Sequence, residues 1–363
     1  MSRFETRRSK LIKRLARAGA DGLLVTDFTN VTYLTGFTGD DSYLLVSPDS
    51  TVLVSDSRYE IQLAEECAGL DVLIRGRKTK MIDAVADVVK QAGLDRLGVE
   101  ATSITLDLWD RLGEKLAGQT LVRTSNLVEG LRVVKDRYEI DCIRQAAWQA
   151  RRAFEVVRSS LTPDLTERQV AARLENELRR FGAIGFSFPP IIAVGPRAAL
   201  PHASPTDKKI GESDFTLFDW GANNLGYVSD LTRMVVTGRI SPKLRRVYGV
   251  VLNAQTAAIE AVAPGVACAD VDRVARKIVV KAGYGKHFGH GLGHGIGLQV
   301  HEAPGLSSSE STKLKPGMVV TVEPGIYLPG WGGVRIEDDV LVTRSGREVL
   351  SSVSKDLDQC VVG

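Results

Sequence analysis

Four of the chain's five histidines stand in one window, KHFGHGLGHGIGLQVHE, Lys286 to Glu302: His287, His290, His294 and His301. Imidazole binds divalent metals and titrates near neutral pH, so histidines gathered this way are candidate metal ligands or proton carriers. The glycines indicate the backbone that carries them. Gly289, Gly291, Gly293, Gly295 and Gly297 fall at every second position, which would cost a helix about 1 kcal/mol each. In an extended strand they face one way and leave a side open to close approach, with His290 and His294 on the opposite face. The HExxH helix of zinc proteases is absent, so metal chemistry here needs another geometry.

Four carboxylates lie among apolar residues: Asp219 in TLFDWG, Asp230 in YVSDLT, Glu323 in VVTVEPG and Glu337 in GVRIED. A buried carboxylate is costly unless it is paired or bound to metal. Arg233 near Asp230 and Arg335 near Glu337 offer the plain ion-pair alternative. Four acids at equivalent places in two repeats, together with a histidine cluster, favour metal. Five oxygen and nitrogen donors exceed the needs of one tetrahedral zinc and suit two cations bridged by carboxylates, roughly 3.5–4 Å apart. Mostly carboxylate donors with one imidazole suit Mn2+ or Co2+, with Zn2+ a further choice.

The elements that position these groups repeat. A long amphipathic helix carries Ile140, Ile143, Ala147, Phe154 and Val157 on one face. A second helix starts at Thr166, with Gln169 completing a capping box and Leu165 and Val170 a hydrophobic staple, and ends at Phe181–Gly182. A strand over Ile191–Val194 and a hairpin turning at Asn223–Asn224 follow. The same order recurs: a helix over about Lys243–Val262, a shorter one after the N-cap candidate Asp270, the Gly/His strand, and a hairpin carrying Glu323 and Glu337. Gly182 to Gly283 spans 101 positions, Asp219 to Glu323 spans 104 and Asp230 to Glu337 spans 107. A period near 100 is too long for a solenoid unit; it implies two related halves with a site where they face each other.

Residues 1–130 read as a separate α/β domain and 131–363 as the domain with the chemistry. In the first, Gly22–Thr26, Tyr43–Ser47, Thr51–Ser55 and Asp71–Arg75 read as strands, with a hairpin turn at Ser47–Ser50. Met81, Ile82, Val85, Val88 and Val89 mark a helix that Gly93 ends. Thr29–Gly39 reads as a loop or a turn between strands. The first domain holds no phosphate loop and no dinucleotide fingerprint.

At 363 residues, 44% hydrophobic, 25% charged and net charge +3, the composition is that of an ordinary globular protein and makes no electrostatic case for nucleic acid. Cys67, Cys142, Cys268 and Cys360 form no CxxC and read as reduced thiols of a cytoplasmic protein. No apolar run is long enough for a membrane span, and the basic N-terminus lacks the apolar core of a secretory leader.

The motifs FDWGANNLGYVSDLTR, FGHGLGHGIGLQVHE, TVEPGIY and GVRIEDD resemble those of the pita-bread metallopeptidases, which include aminopeptidase P, prolidase and methionine aminopeptidase. The resemblance covers the catalytic half in order. It extends to the first domain, which looks like the N-terminal domain of aminopeptidase P, prolidase and creatinase. It implies a creatinase-like α/β domain followed by an α+β pita-bread domain with internal pseudo-twofold symmetry. It puts metal ligands at Asp219, Asp230, His294, Glu323 and Glu337, with Asp230 and Glu337 as bridges. It puts substrate-contacting histidines at His202 and His301, a further pocket histidine at His290, an apolar proline wall at Phe188, and an arginine supporting the last ligand at Arg335.

The activity implied is exopeptidase cleavage of Xaa-Pro bonds in small peptides, by a hydroxide bridging two metals, with Glu323 shuttling the proton. A homodimer is implied as well. Trp220, Met234, Gln299 and Pro189–Pro190 depart from common versions of the pattern, and the last two of these could reshape the substrate pocket. Two other readings within the resemblance, a metal-free creatinase-like amidinohydrolase and a non-catalytic binding protein, conflict with the retained ligand set.

Overall fold

The computed structural model describes residues 2–362, and the chain divides into two compact units, Met1–Arg132 and Val133–Gly363. In the first unit the order is α1 (Arg3–Ala18), β1 (Gly22–Val25), α2 (Phe28–Thr35), β2 (Tyr43–Val46), β3 (Thr51–Asp56), α3 (Glu60–Glu66), β4 (Asp71–Arg75), α4 (Met81–Gln91), β5 (Arg96–Glu100), α5 (Leu106–Lys115), β6 (Thr120–Thr124) and α6 (Glu129–Arg132). One mixed sheet runs β4-β3-β2-β1-β5-β6. The β2–β3 hairpin turns where the sequence reading has it, with Ser47 N–H donating to Ser50 O at 2.7 Å. The apolar face of α4, through Ile82, Val85 and Val89, packs on Leu24, Leu45, Leu97 and Val99. Each such fully buried side chain contributes about 1.5–3 kcal/mol.

The segment read as a loop, Thr29–Gly39, is largely helix α2. Asp27 caps it by accepting from Asn30 N–H at 2.9 Å, Gly36 ends it in the left-handed region (φ 87°), and Val31 and Leu34 are fully buried. Local composition argued for a loop; the cap and the buried face decide for helix.

The second unit has α7 (Arg137–Ser159), α8 (Glu167–Arg180), β7 (Gly185–Phe186), β8 (Ile191–Val194), β9 (Phe215–Trp220), β10 (Ala222–Asn224), β11 (Tyr227–Val228), β12 (Leu231–Val236), α9 (Pro242–Ala261), α10 (Cys268–Lys281), β13 (Gly293–Gly295), β14 (Glu302–Leu306), β15 (Val319–Val322), β16 (Gly325–Leu328), β17 (Gly332–Arg335), β18 (Asp338–Val342) and β19 (Arg347–Val349). The repeat is visible in the sheets: β12-β9-β8 in one half, and β14-β13-β15-β18-β19 in the other. Helices α7 and α8 cover the first half and α9 and α10 the second. The Thr166–Gln169 capping box is formed, and Leu165 and Val170 are both buried. Trp220 fills a slot of this packing: its ring stacks on Phe154 at 4.4 Å and its N–H donates to Ala150 O at 3.0 Å.

Three local expectations are corrected. The first hairpin of the second unit turns at Leu225–Gly226, not Asn223–Asn224. Both turn residues have positive φ, 54° and 85°, as a type I′ turn requires, and Asn223 instead accepts from Gly226 N–H at 2.9 Å. Helix α10 begins at Cys268 after Ala267, so Asp270 lies in its first turn, where it pairs with Arg273 rather than capping. The Gly/His strand is regular only over Gly293–Gly295.

Candidate metal centre

The four acids stand where ladder strands end or bend. Asp219 lies in β9 opposite Thr232 of β12. Asp230 immediately precedes β12, Glu323 follows β15, and Glu337 immediately precedes β18. The two halves are joined at this point: Glu337 N–H donates to Thr232 O at 3.2 Å, and Asp230 N–H to Asp339 Oδ2 at 3.0 Å. His294 is the middle residue of β13, its N–H on Thr321 Oγ1 at 3.0 Å. Alternating glycines permit that strand. A Cβ at Gly293 or Gly295 would lie inside the van der Waals contact of Thr321 O or Ala303 O, so the neighbouring backbones approach where side chains are missing.

One ligand atom each from Asp230, His294 and Glu337 lies within 4.8 Å of the others. Glu323 Oε1 is 3.3 Å from His294 Nε2, and Asp230 Oδ2 is 3.8 Å from it. His294 Nδ1 points at Gly295 O (3.1 Å), leaving Nε2 toward the acids. Asp219 joins the same cavity with Oδ2 in an ion pair to Arg335. No donor reaches Asp219 Oδ1, Asp230 Oδ1 or Glu337 Oε1, although all three are buried. Burial, then the mutual repulsion of the acids, pushes the Asp230 and Glu337 carboxyls well above their usual range. For Glu323 burial acts upward too, but its hydrogen bond and charge contact with His294 outweigh it and hold the carboxyl low. Burial opposes charge on His294, and Glu323 reverses that, so its imidazole is raised. Buried carboxylate oxygens without donors, converging on an imidazole, are the donor set of a cation site.

The ion pairs differ from those the sequence offered. Arg335 pairs with Asp219, not Glu337, and Arg233 pairs with Asp338 at 2.6 Å, not Asp230. Arg335 reaches Glu337 only through Thr232: Arg335 Nε donates to Thr232 Oγ1 at 3.0 Å, and that hydroxyl donates to Glu337 Oε2 at 2.6 Å. Arg335 Nη1 also donates to the Tyr327 hydroxyl at 2.9 Å, and that hydroxyl meets His290 Nε2 at 2.9 Å. Thr232, Tyr327 and Asp339 are the members of this site that the sequence reading missed.

The cavity encloses about 760 Å³ and is lined in addition by His202, His301, Phe188, Pro189, Pro190 and Val300. The rings of His301 and His294 are 4.3 Å apart. Pro189–Pro190 line the cavity, and Gln299 is an exposed residue next to the lining residue Val300. Among the described residues no helix is long and apolar enough to cross a membrane.

A model of metallopeptidase family M24 matches residues 141–344, and one of the creatinase/prolidase N-terminal domain matches residues 7–134. The Xaa-Pro dipeptidase of Pyrococcus furiosus is 36% identical over 356 residues, 98% of this chain and 100% of that one. Among solved structures, an Xaa-Pro dipeptidase from Bacillus anthracis superposes with a TM-score of 0.94 at 38% identity, covering 98% of this chain and 99% of that one. An X-Pro aminopeptidase from Thermotoga maritima gives 0.89 at 34% identity, covering 98% and 99%. The fold is thus a creatinase-like domain followed by a pita-bread domain, and the chain belongs to metallopeptidase family M24.

Proposed function

We propose that this chain is an Xaa-Pro exopeptidase, a metal-dependent hydrolase of the bond before proline in small peptides. The observation that carries the reading is the set of donorless buried oxygens on Asp219, Asp230 and Glu337, gathered beside His294 in a cavity with an apolar wall of Phe188, Pro189, Pro190 and Val300. Asp219, Asp230, His294, Glu323 and Glu337 would hold two divalent cations. The carboxylate-rich set favours Mn2+ over Co2+ or Zn2+. Bound there, the cations supply Lewis acidity toward the scissile carbonyl and lower the pKa of water.

The rest is done by side chains. Glu323, ionised and facing the cavity, accepts a proton from the attacking water and delivers it to the proline nitrogen. That nitrogen carries no hydrogen before cleavage and leaves as a secondary amine once the C–N bond breaks. His202 and His301 are exposed lining residues and donate to the carbonyl oxygen as it gains charge. His290, committed to Tyr327 and to Gly291 O (2.7 Å), is a fixed part of the wall.

The working form is a cytoplasmic homodimer. Cysteines that are buried and far apart in the sequence, with no CxxC, suit a reducing compartment, and the family resemblance supports the dimer, which light scattering tests. The activity is tested with Mn2+-loaded protein on Ala-Pro and Ala-Pro-Ala beside Ala-Ala. Cleavage confined to the proline peptides is expected, and its loss in a folded Glu337→Ala variant. A metal-loaded protein that cleaves no Xaa-Pro bond overturns the assignment.

A further inference from the structure

We infer that the cavity recognises the proline ring and not the proline carboxylate, so that Xaa-Pro amides and peptides extended beyond proline are substrates on the same footing as the dipeptide. This rests on the Xaa-Pro reading above and adds what the site accepts after proline.

A free dipeptide brings a carboxylate beside the proline ring. Taken out of water, that group needs a cation or several donors. Among the described residues lining the cavity, Arg335 is the one lysine or arginine. Its guanidinium is already committed: Nη2 to Asp219, Nε to Thr232 at 3.0 Å, and Nη1 to the Tyr327 hydroxyl at 2.9 Å and Pro201 O at 3.4 Å. At 3% exposure it has no face left for a second anion. The Tyr327 hydroxyl and the His290 ring are engaged with each other, and His290 Nδ1 with Gly291 O. The buried donors are therefore spent inside the protein, and the two exposed histidines, His202 and His301, are taken up by the scissile carbonyl in the reading above.

What the wall offers instead is apolar: Phe188, Pro189, Pro190, Ile191 and Val300. Such a wall reads a pyrrolidine ring by contact and is indifferent to what the ring carries, provided that group reaches water. Pro189, His202, Gly289 and His301 are exposed, so the cavity opens to solvent along them. A carboxylate stays hydrated there, and a longer chain leaves the same way.

The test measures kcat/KM of the Mn2+-loaded full chain for Ala-Pro, Ala-Pro-NH2 and Ala-Pro-Ala. The inference expects the amide and the tripeptide to match or exceed the dipeptide, to within about threefold. A larger preference for the dipeptide overturns it, since a cation outside the cavity must then read the carboxylate. Failure on all three substrates, with metal content verified, is a different result: it removes the Xaa-Pro reading, and this inference falls with it.

Discussion

Thr232 donates its hydroxyl hydrogen to Glu337 Oε2 and accepts from Arg335 Nε, and so fixes one oxygen of a buried carboxylate while the other faces the cavity without a donor. Thr232→Val keeps the shape and removes both bonds. Loss of such a partner typically lowers metal affinity or activity about 10–100-fold; the same is expected here, with Thr232→Ser recovering most of it. Mn2+ titration and kcat/KM measure it, and unaltered Mn2+ affinity in the valine variant would show that Thr232 does not orient Glu337. Asp339 poses a different problem. Burial, with the neighbouring Asp338 charge, pushes its carboxyl up to about 8 from an ordinary 3.8. The unfolded chain ionises the group near the lower value. Its contribution to stability is therefore full below that pH and is lost as the pH rises toward 8. Asp339→Asn mimics the neutral acid. The metal-free variant should lose less stability than the parent between about pH 5 and pH 8, as read by urea titration; parallel curves would refute the argument.

At the scale of elements, β13 is the piece with no slack. Its glycines let β14 and β15 close on both sides, and His294 is delivered from the middle of that contact. A methyl group at Gly293 would meet the Thr321 carbonyl and Oγ1, which are held by sheet pairing. Gly293→Ala should destabilise the protein by about 3 kcal/mol or more, because backbone rather than a flexible side-chain tip must move. It should also weaken Mn2+ binding through displacement of His294. Thermal melts and metal titration give the two readouts, and a wild-type Tm would mean the strand accommodates the methyl. The β9–β12 hairpin carries the other lesson. A turn centred on Leu225–Gly226 sets Thr232 opposite Asp219; centred two residues earlier, it sets Val228 there. A small error in turn placement therefore concealed the residue that ties Arg335 to Glu337.

At the scale of the molecule, the carboxylates where the two repeats of the second unit meet repel one another. Cations held there bind the folded chain and not the unfolded one, which adds about 2.7 kcal/mol at a hundredfold excess over Kd. Asp230 and Glu337, with raised carboxyls, keep their protons further up the pH scale than free acids do. Their stabilising effect in metal-free protein is lost as pH rises through those raised values, while affinity for a cation that displaces the protons grows. Chelation should therefore lower Tm more at about pH 8 than at about pH 5.5. Calorimetry with and without chelator checks this, and an equal or reversed difference would show that the acids are not the cation site.

What the sequence determined by itself was what local chemistry writes. The capping box at Thr166, the periodic faces of α4 and α7, strands β1 to β4 of the first sheet (though not β5 and β6) and the duplicated order of elements all depend on neighbours a few residues away. The acids and histidines were legible for a related reason: ionisable side chains inside apolar runs are rare unless something holds them. Partnership was another matter. Arg335 lies two residues from Glu337, yet on β17 its side chain turns toward Asp219, 116 positions earlier. Arg233, three residues from Asp230, turns to Asp338. Tyr327 and Asp339 enter the site only because β16 and β18 are laid against it. Arg335 ends β17, which pairs with β16, whereas Glu337 leads into β18 of another sheet, and ladder register brings residues distant in sequence together. The tertiary structure therefore decided which charges meet, which donors were already spent, and what the cavity can still recognise.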